Sequence, residues 1–419
     1  MTYDAVVCGA GVGGLLCAHA LGARGLRVLL LEKLTRPVPL AKGEVFQPSS
    51  LTVLRELGLL PRLVERGAVE LSRLVVHDAG GGPLLAFDYS GLEAHDRSLL
   101  ALDYGEILDV FGEALPKTVT CRRGATVTEL LRDPAGRVSG VGFTAGGHQE
   151  TAHAPLVVAA DGVSSRLRRL AGISARPVRY GHRLLSFELS GVERPAPEVS
   201  AYMTPGGLRL FYPLPGDRAR LYVQVAPESL RRMSRAEPDA WDEWCSAVCA
   251  EAAALAPLRQ RLRDCAGTRQ VHTLWRFSAA RLTVPGMALV GESAHSVHPM
   301  AAQGMNTAIA DAGTLAGQFA DGPLTPDAVD DALARYEAQR SGWIRHIDLM
   351  SHDATTLVTS TSRAGRAFGR HVLRRMGGSP RLRHIATHNL AGYGMRPFTV
   401  RDRLHQLGLP DLRPASPAP

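Results

Sequence analysis

Apolar positions along this chain follow different spacings in different stretches, and the order of the stretches predicts the architecture. Short unbroken apolar runs occur at 5–8, 28–31, 156–160 and 287–290, as expected of strands buried on both faces of a parallel sheet. Helical spacing sets in at Leu51, Leu54, Leu57 and Leu60. It predicts a helix from about Ser49 to Leu57, capped by Ser49 or Ser50 and stopped by Gly58. Further helices are expected near 103–115, 239–262, 304–320 and 326–345. Two-residue alternation marks strands at 72–77 and 84–89, joined across Gly80-Gly-Gly82-Pro83, and again at 182–190, 199–203, 208–213, 220–226 and 269–277. These imply an antiparallel sheet separate from the parallel one. Short strands near 119, 126–131 and 138–143 suggest a small antiparallel meander.

The expected fold class is therefore α/β, a Rossmann-like domain with an inserted antiparallel sheet domain and a C-terminal helical segment. Residues 1–70, 97–178 and 279–345 form the first domain discontinuously, and 71–96 with 179–278 form the second. Residues 346–406 are expected to be helical, and 407–419 a disordered Pro/Ala tail.

The first apolar run leads into Gly9-Ala-Gly11-Val12-Gly13-Gly14, then an Ala/Leu-rich helix, then a strand ending in Glu32-Lys33. Gly9 suits a tight turn, Gly11 a close backbone approach to a pyrophosphate, and Gly14 close packing of helix on strand. The helix start offers free N–H groups and positive dipole. Glu32 is placed to accept from both hydroxyls of an adenosine ribose and to repel a 2′-phosphate, so FAD and NAD both fit here and NADP does not.

With 419 residues the chain can bury a large core. Its net charge of +8 comes from dispersed arginines without an aromatic-interleaved basic stripe, which argues against a nucleic-acid partner. Six scattered cysteines show no metal-ligand spacing. Cys245 and Cys249 lie one helical turn apart without a third ligand nearby, so no metal is expected. There is no leader-like segment and no apolar stretch of membrane-spanning length, pointing to a cytoplasmic protein.

A later strand ends at Gly291-Glu292 and is followed by His295, His298-Pro299-Met300-Ala301-Ala302-Gln303-Gly304-Met305-Asn306 and a helix reaching Asp311. Glu292 can accept from a polyol hydroxyl, and the helix start aims N–H groups above Pro299, which suits the ribityl chain and the O2/N1 edge of a flavin. Together with Asp161-Gly162 before Ser165-Arg166, and with Tyr336-Glu-Ala-Gln-Arg340, these motifs resemble single-component FAD-dependent aromatic hydroxylases, the class A flavoprotein monooxygenases of the para-hydroxybenzoate hydroxylase fold. The resemblance spans roughly the first 345 residues. This chain departs from the family at four points: Glu292 replaces an Asp, Lys42-Gly43 stands for Arg-Gly, Tyr104 for a frequent arginine, and Ala302 for the first Gly of Gly-Gln-Gly.

The resemblance implies FAD bound by the first motif, with Lys42 and Gly43 near its pyrophosphate and Asp161, Gly162 and Arg166 serving both FAD and nicotinamide. Because the chain has no second GxGxxG, NADPH or NADH is expected as a transient co-substrate. The implied reaction uses O₂, through a flavin C4a-hydroperoxide, to hydroxylate a phenolic or heteroaromatic small molecule of the secondary-metabolite kind, with water excluded. His182, Phe187, Tyr202, Leu210, Tyr212, Tyr222 and Trp275 are candidate substrate-wall residues. His295, His298 and Pro299 are the candidates nearest the chemistry. Alkene epoxidation or isoprenoid reduction on the same scaffold, and a non-catalytic FAD-binding protein, are the rival readings; the signatures of a flavin-dependent halogenase are lacking. A homo-oligomer is compatible with the chain.

Overall fold

The computed structural model describes residues 2–38, 40–193, 195–233, 238–319 and 324–410. Its opening strand β1 (Ala5–Cys8) lies between β2 (Val28–Glu32) and the strand Leu156–Ala159, all parallel, with Met287–Leu289 and Val119–Arg123 beyond them. The edge strand Thr283–Val284 pairs antiparallel and completes a sheet of six strands. The central strands are buried along their whole length, as their unbroken apolar runs require. Helix α1 (Val12–Ala23) packs on this sheet with the helices Tyr104–Glu113 and Gly304–Gly317 against it.

A second sheet has eight strands in the order His295–Ser296, Gln270–Ser278, Val178–Ser190, Arg218–Val225, Gly207–Leu214, Glu198–Thr204, Arg73–Asp78 and Pro83–Asp88. It is antiparallel except where Glu198–Thr204 runs parallel to Arg73–Asp78. That exception corrects the expectation of a wholly antiparallel sheet: Arg73–Asp78 reaches its neighbour from a distant part of the chain, not through a hairpin. One face packs on the helix Pro238–Ala250 and its successors, burying Leu185, Phe187, Leu221 and Val223. The other face buries Leu184, Leu210, Tyr212 and Tyr222 with Met300 and Ala301.

Several local expectations shift. The meander comprises Ala125–Arg132, Val138–Ala145 and His148–His153, whereas the strand near 119 joins the parallel sheet. The helix expected from Ser49 begins at Pro48 with Gln47 as N-cap. Proline is well suited to the first helical position because its missing N–H needs no partner there. The helix expected to end near 345 continues through Pro326–Thr359, with Ile347, Ser351, Thr355 and Val358 buried along one face.

After it come Arg363–Gly378, Pro380–Ala391 and Val400–Gln406. Despite their arginines, these helices contribute Val372, Leu373, Met376 and Leu382 to the same core as Leu210 and Tyr212. They thus pack beside the sheet face that meets Met300. The tail segment 411–419 lies outside the described residues. Among the described residues, no helix is long and apolar enough to cross a membrane, and no cluster of His, Cys, Asp or Glu could hold a metal ion.

Candidate functional site

The glycine turn between β1 and α1 shows why its residue types differ in tolerance. Gly9 has φ of +108°, and a Cβ there would stand 2.3 Å from the carbonyl oxygen of Ala160. A Cβ on Gly14 would fall 1.8 Å from the Gly9 carbonyl oxygen. Both glycines are demanded by packing. Gly11 differs: its backbone is extended, and a Cβ would meet only the Tyr104 hydroxyl, at 3.8 Å. It therefore presents bare backbone to the space at the start of α1. Val12 and Gly13 are buried behind it, with Gly13 facing Val290.

At the end of β2, the Glu32 carboxylate accepts from the N–H of Ala10 at 2.7 Å and of Leu34 at 2.9 Å. It is thereby fixed beside the glycine turn, while Lys33 points outward and is exposed. Lys42 and Glu292, 250 residues apart, form an ion pair. Burial works against the Lys42 ammonium, but the Glu292 carboxylate outweighs it and holds the Lys42 pKa above its ordinary value. Tyr104 lies in the same cleft; burial raises its phenol pKa, opposed by Lys42.

Asp161 closes the start of the helix Arg166–Leu170, accepting from the N–H groups of Arg166 at 2.7 Å and Leu167 at 3.1 Å and from the Ser165 hydroxyl. Gly162 has φ of +83°. The Arg166 side chain is exposed. Its neighbour Arg168, which sequence reasoning passed over, is buried and donates to the Ser293 carbonyl at 2.6 Å. That bond ties the Asp161 turn to the Gly291-Glu292 turn.

His295, expected near the chemistry, is instead buried with its Nε2 at 2.7 Å from Asp311. Asp311 also accepts from the Gly291 N–H at 3.0 Å and from Arg340 at 2.8 Å. Its pKa is lowered to about 2: burial opposes ionisation, and Arg340 and His295 overcome it. This corrects the expectation for His295, whose ring anchors the turn from within the core. Only the spatial position of Asp311 reveals this.

His298 caps the short turn Pro299–Ala301, its Nδ1 accepting from the Met300 N–H at 3.1 Å, and its Nε2 lies 3.0 Å from Nε2 of His182. Pro299 is exposed at the surface of the turn. Ala302 adopts the left-handed conformation at φ +48°, turning the chain into the helix that begins at Gly304, where no atom lies within 4 Å of an added Cβ. Met305 packs against Gly43. The Asn306 side chain accepts from the Gln47 N–H at 2.8 Å and donates to the Val45 carbonyl at 3.0 Å, clamping the segment after Gly43 onto this helix.

Of the wall candidates, Leu210, Tyr212 and Tyr222 share the core with Met300, and His182 contacts His298 beside it. Phe187, Tyr202 and Trp275 are corrected. Phe187 lies on the opposite face against Trp241 and Trp244, Tyr202 stacks on His77 with centroids 5.0 Å apart, and Trp275 lies under Arg179. Strand alternation sends their side chains away from Met300. Sequence reasoning missed two charged groups of this region. Glu44 and Arg220 are both buried, Arg220 donating to Glu44 at 2.9 and 2.7 Å, with the Tyr212 hydroxyl donating at 2.8 Å. Glu44 was visible only as the residue after Lys42-Gly43.

A family model described as FAD binding domain matches residues 2–347. The 6-methylpretetramide 4-monooxygenase of Streptomyces rimosus is 26% identical over 425 residues, covering 97% of this chain and 96% of that protein. Squalene epoxidase 3 of Arabidopsis thaliana is 26% identical over 353 residues, covering 80% of this chain and 62% of that protein. Among solved structures, PqsL from Pseudomonas aeruginosa, described as a probable FAD-dependent monooxygenase, superposes with a TM-score of 0.75 at 25% identity, covering 88% of this chain and 99% of that one.

Proposed function

The chain belongs to the FAD binding domain family, and from that premise we propose that it is an FAD-dependent monooxygenase that hydroxylates a phenolic or heteroaromatic small molecule, with NADPH or NADH as transient reductant. The observation that carries the substrate side of this reading is the shared core of Met300 and Ala301 with Leu210, Tyr212 and Tyr222. It sets an apolar, aromatic-bearing sheet face against the turn that opens the helix at Gly304.

The residues present fit FAD. Gly11 leaves its backbone open to a pyrophosphate, Glu32 is held beside the glycine turn as a ribose-binding acid would be, and Gly304 begins a helix with open space where a Cβ would stand. Lys42 and Glu292 would exchange their mutual contact for the pyrophosphate and the ribityl hydroxyls. FAD, when bound, supplies the activation of O₂ and the transfer of one oxygen atom. The chain's own residues orient the ring against Pro299 and exclude water, with the C-terminal helices closing the flank of the sheet face. The start of the helix Gly304–Gly317 offers N–H groups toward negative charge developing at the flavin edge. By its resemblance to the family's Asp-Gly motif, the Asp161-Gly162 turn is where nicotinamide binding is proposed.

The relationship to a squalene epoxidase keeps alkene epoxidation as the second reading. Both are tested by reconstituting the protein with FAD and screening phenolic, heteroaromatic and isoprenoid compounds for those that accelerate NAD(P)H oxidation. The proposal expects a ring-hydroxylated product by mass. An epoxide from an isoprenoid alone selects the second reading, and reduction of an isoprenoid without oxygen uptake overturns both.

A further inference from the structure

The contact between His182 and His298 fixes where each ring carries its proton. The Met300 N–H donates to Nδ1 of His298, 3.1 Å away, so that nitrogen is bare. A neutral imidazole has a single N–H, which on His298 must then lie on Nε2. Nε2 of His182 is 3.0 Å from it and accepts. The remaining proton of neutral His182 is thereby confined to Nδ1. The reverse arrangement, with His182 donating, would leave His298 without any N–H.

Both rings are neutral near pH 7. His298 is fully buried, and burial followed by the proximity of His182 pushes its pKa well below the usual value. Burial lowers that of His182 as well. No hydrogen bond among the described residues uses Nδ1 of His182, and the ring is half-buried. Its ring touches that of His298, two residues before Met300, which shares a core with Leu184 and Tyr222.

We infer that His182 is a fixed hydrogen-bond donor to the substrate, its Nδ1–H recognising an acceptor oxygen on the aromatic ring, and that His298 is the positioning residue that enforces this tautomer. The inference rests on the proposed function for the location of the ring. It specifies the substrate class: a ring bearing a carbonyl or an ionised phenol oxygen. It also removes both histidines from the role of phenol-deprotonating base, since their bare nitrogens, Nε2 of His182 and Nδ1 of His298, already accept hydrogen bonds within the protein.

Two experiments test it. Long-range nitrogen–proton correlation spectra of histidine-labelled protein, assigned with His182→Asn and His298→Asn, should show an Nδ1–H tautomer for His182 and Nε2–H for His298. An Nε2–H tautomer or an imidazolium at His182 at neutral pH would overturn the inference. Binding of 1,4-naphthoquinone and 2-naphthol is then measured on the FAD-loaded protein. His182→Ala should weaken binding about tenfold, the worth of one good hydrogen bond, and His182→Asn, whose amide N–H replaces Nδ1–H, should stay within about threefold of the parent. Loss for the quinone alone identifies a ring carbonyl, and loss for the naphthol alone, with the absorption band of its anion, an ionised phenol. Unchanged affinity for both in His182→Ala, or a flavin-loaded parent that binds neither, overturns it. A parent that takes up no flavin refutes the functional reading instead, and leaves the tautomer assignment standing on its spectra.

Discussion

Arg220 grips Glu44 through two hydrogen bonds, 2.9 and 2.7 Å long, although 176 residues separate them and both are buried. Burial raises the Glu44 pKa against the pull of Arg220 and of the Tyr212 hydroxyl. The pair joins the large sheet to the segment that begins with Lys42 and Gly43. Removing one partner leaves the other charge buried, so Arg220→Ala should cost about 3 kcal/mol of stability. It should also weaken FAD binding, through displacement of Lys42. Denaturant titration and flavin-fluorescence titration check the two effects separately, and an unchanged FAD affinity in a destabilised variant would confine the pair to a structural role.

The glycines of the first turn should separate folding from cofactor binding. The variant Gly11→Val places its Cβ within 4 Å of the Tyr104 hydroxyl alone. It should fold with an unaltered circular dichroism spectrum and emerge colourless, because the new side chain fills the space the pyrophosphate needs. Gly14→Ala, by contrast, drives its methyl into the Gly9 carbonyl oxygen, 1.8 Å away, and should lose soluble protein. A flavin-loaded Gly11→Val variant would show the pyrophosphate to lie elsewhere.

The two faces of the large sheet should respond differently to truncation. Leu210→Ala opens space next to Met300 and should change KM for the aromatic substrate several-fold, beyond a stability loss of about 2–5 kcal/mol. Phe187→Leu, facing Trp241 and Trp244, should cost about 1 kcal/mol and leave KM alone. Steady-state kinetics alongside thermal melts distinguish them.

Stability should fall on acidification below pH 6.5. Burial, then Arg220 and Lys42, lower the His272 pKa to about 4, while its Nε2 contacts the Ser186 hydroxyl at 2.7 Å. Between those pH values the unfolded chain binds a proton that the folded protein refuses, so stability is present above 6.5 and lost as pH falls toward 4. The contribution is on the order of 2 kcal/mol after allowance for partial exposure. His272→Gln should flatten that part of the stability-against-pH curve, and a curve as steep as the parent's would contradict the assignment.

Much of this was legible in the residues, and the parts that were not have physical reasons. The parallel strands and the glycine turn announce themselves, because a strand buried on both faces must be apolar throughout and a backbone at φ +108° selects glycine. Strand parity could have been read further: Phe187, three residues after Leu184 on one strand, lies on the opposite face. Pro48 similarly signals a helix start ahead of Ser49. In the C-terminal helices, arginines obscured the stripe of Val372, Leu373 and Met376 that packs into the core. The pairings Lys42 with Glu292, Arg220 with Glu44, and His182 with His298 join residues more than a hundred positions apart. Only the folded arrangement brings them together.

The central claim is that the protein holds FAD and uses it to place one atom of molecular oxygen on an aromatic ring. The most direct measurement is product mass after turnover of the FAD-loaded protein with NAD(P)H under isotopically heavy O₂, using a ring compound found to stimulate NAD(P)H oxidation. The account predicts one heavy oxygen atom in the product and none drawn from water. NAD(P)H oxidation that yields only hydrogen peroxide with every ring offered, or a protein that stays colourless after reconstitution, would contradict it.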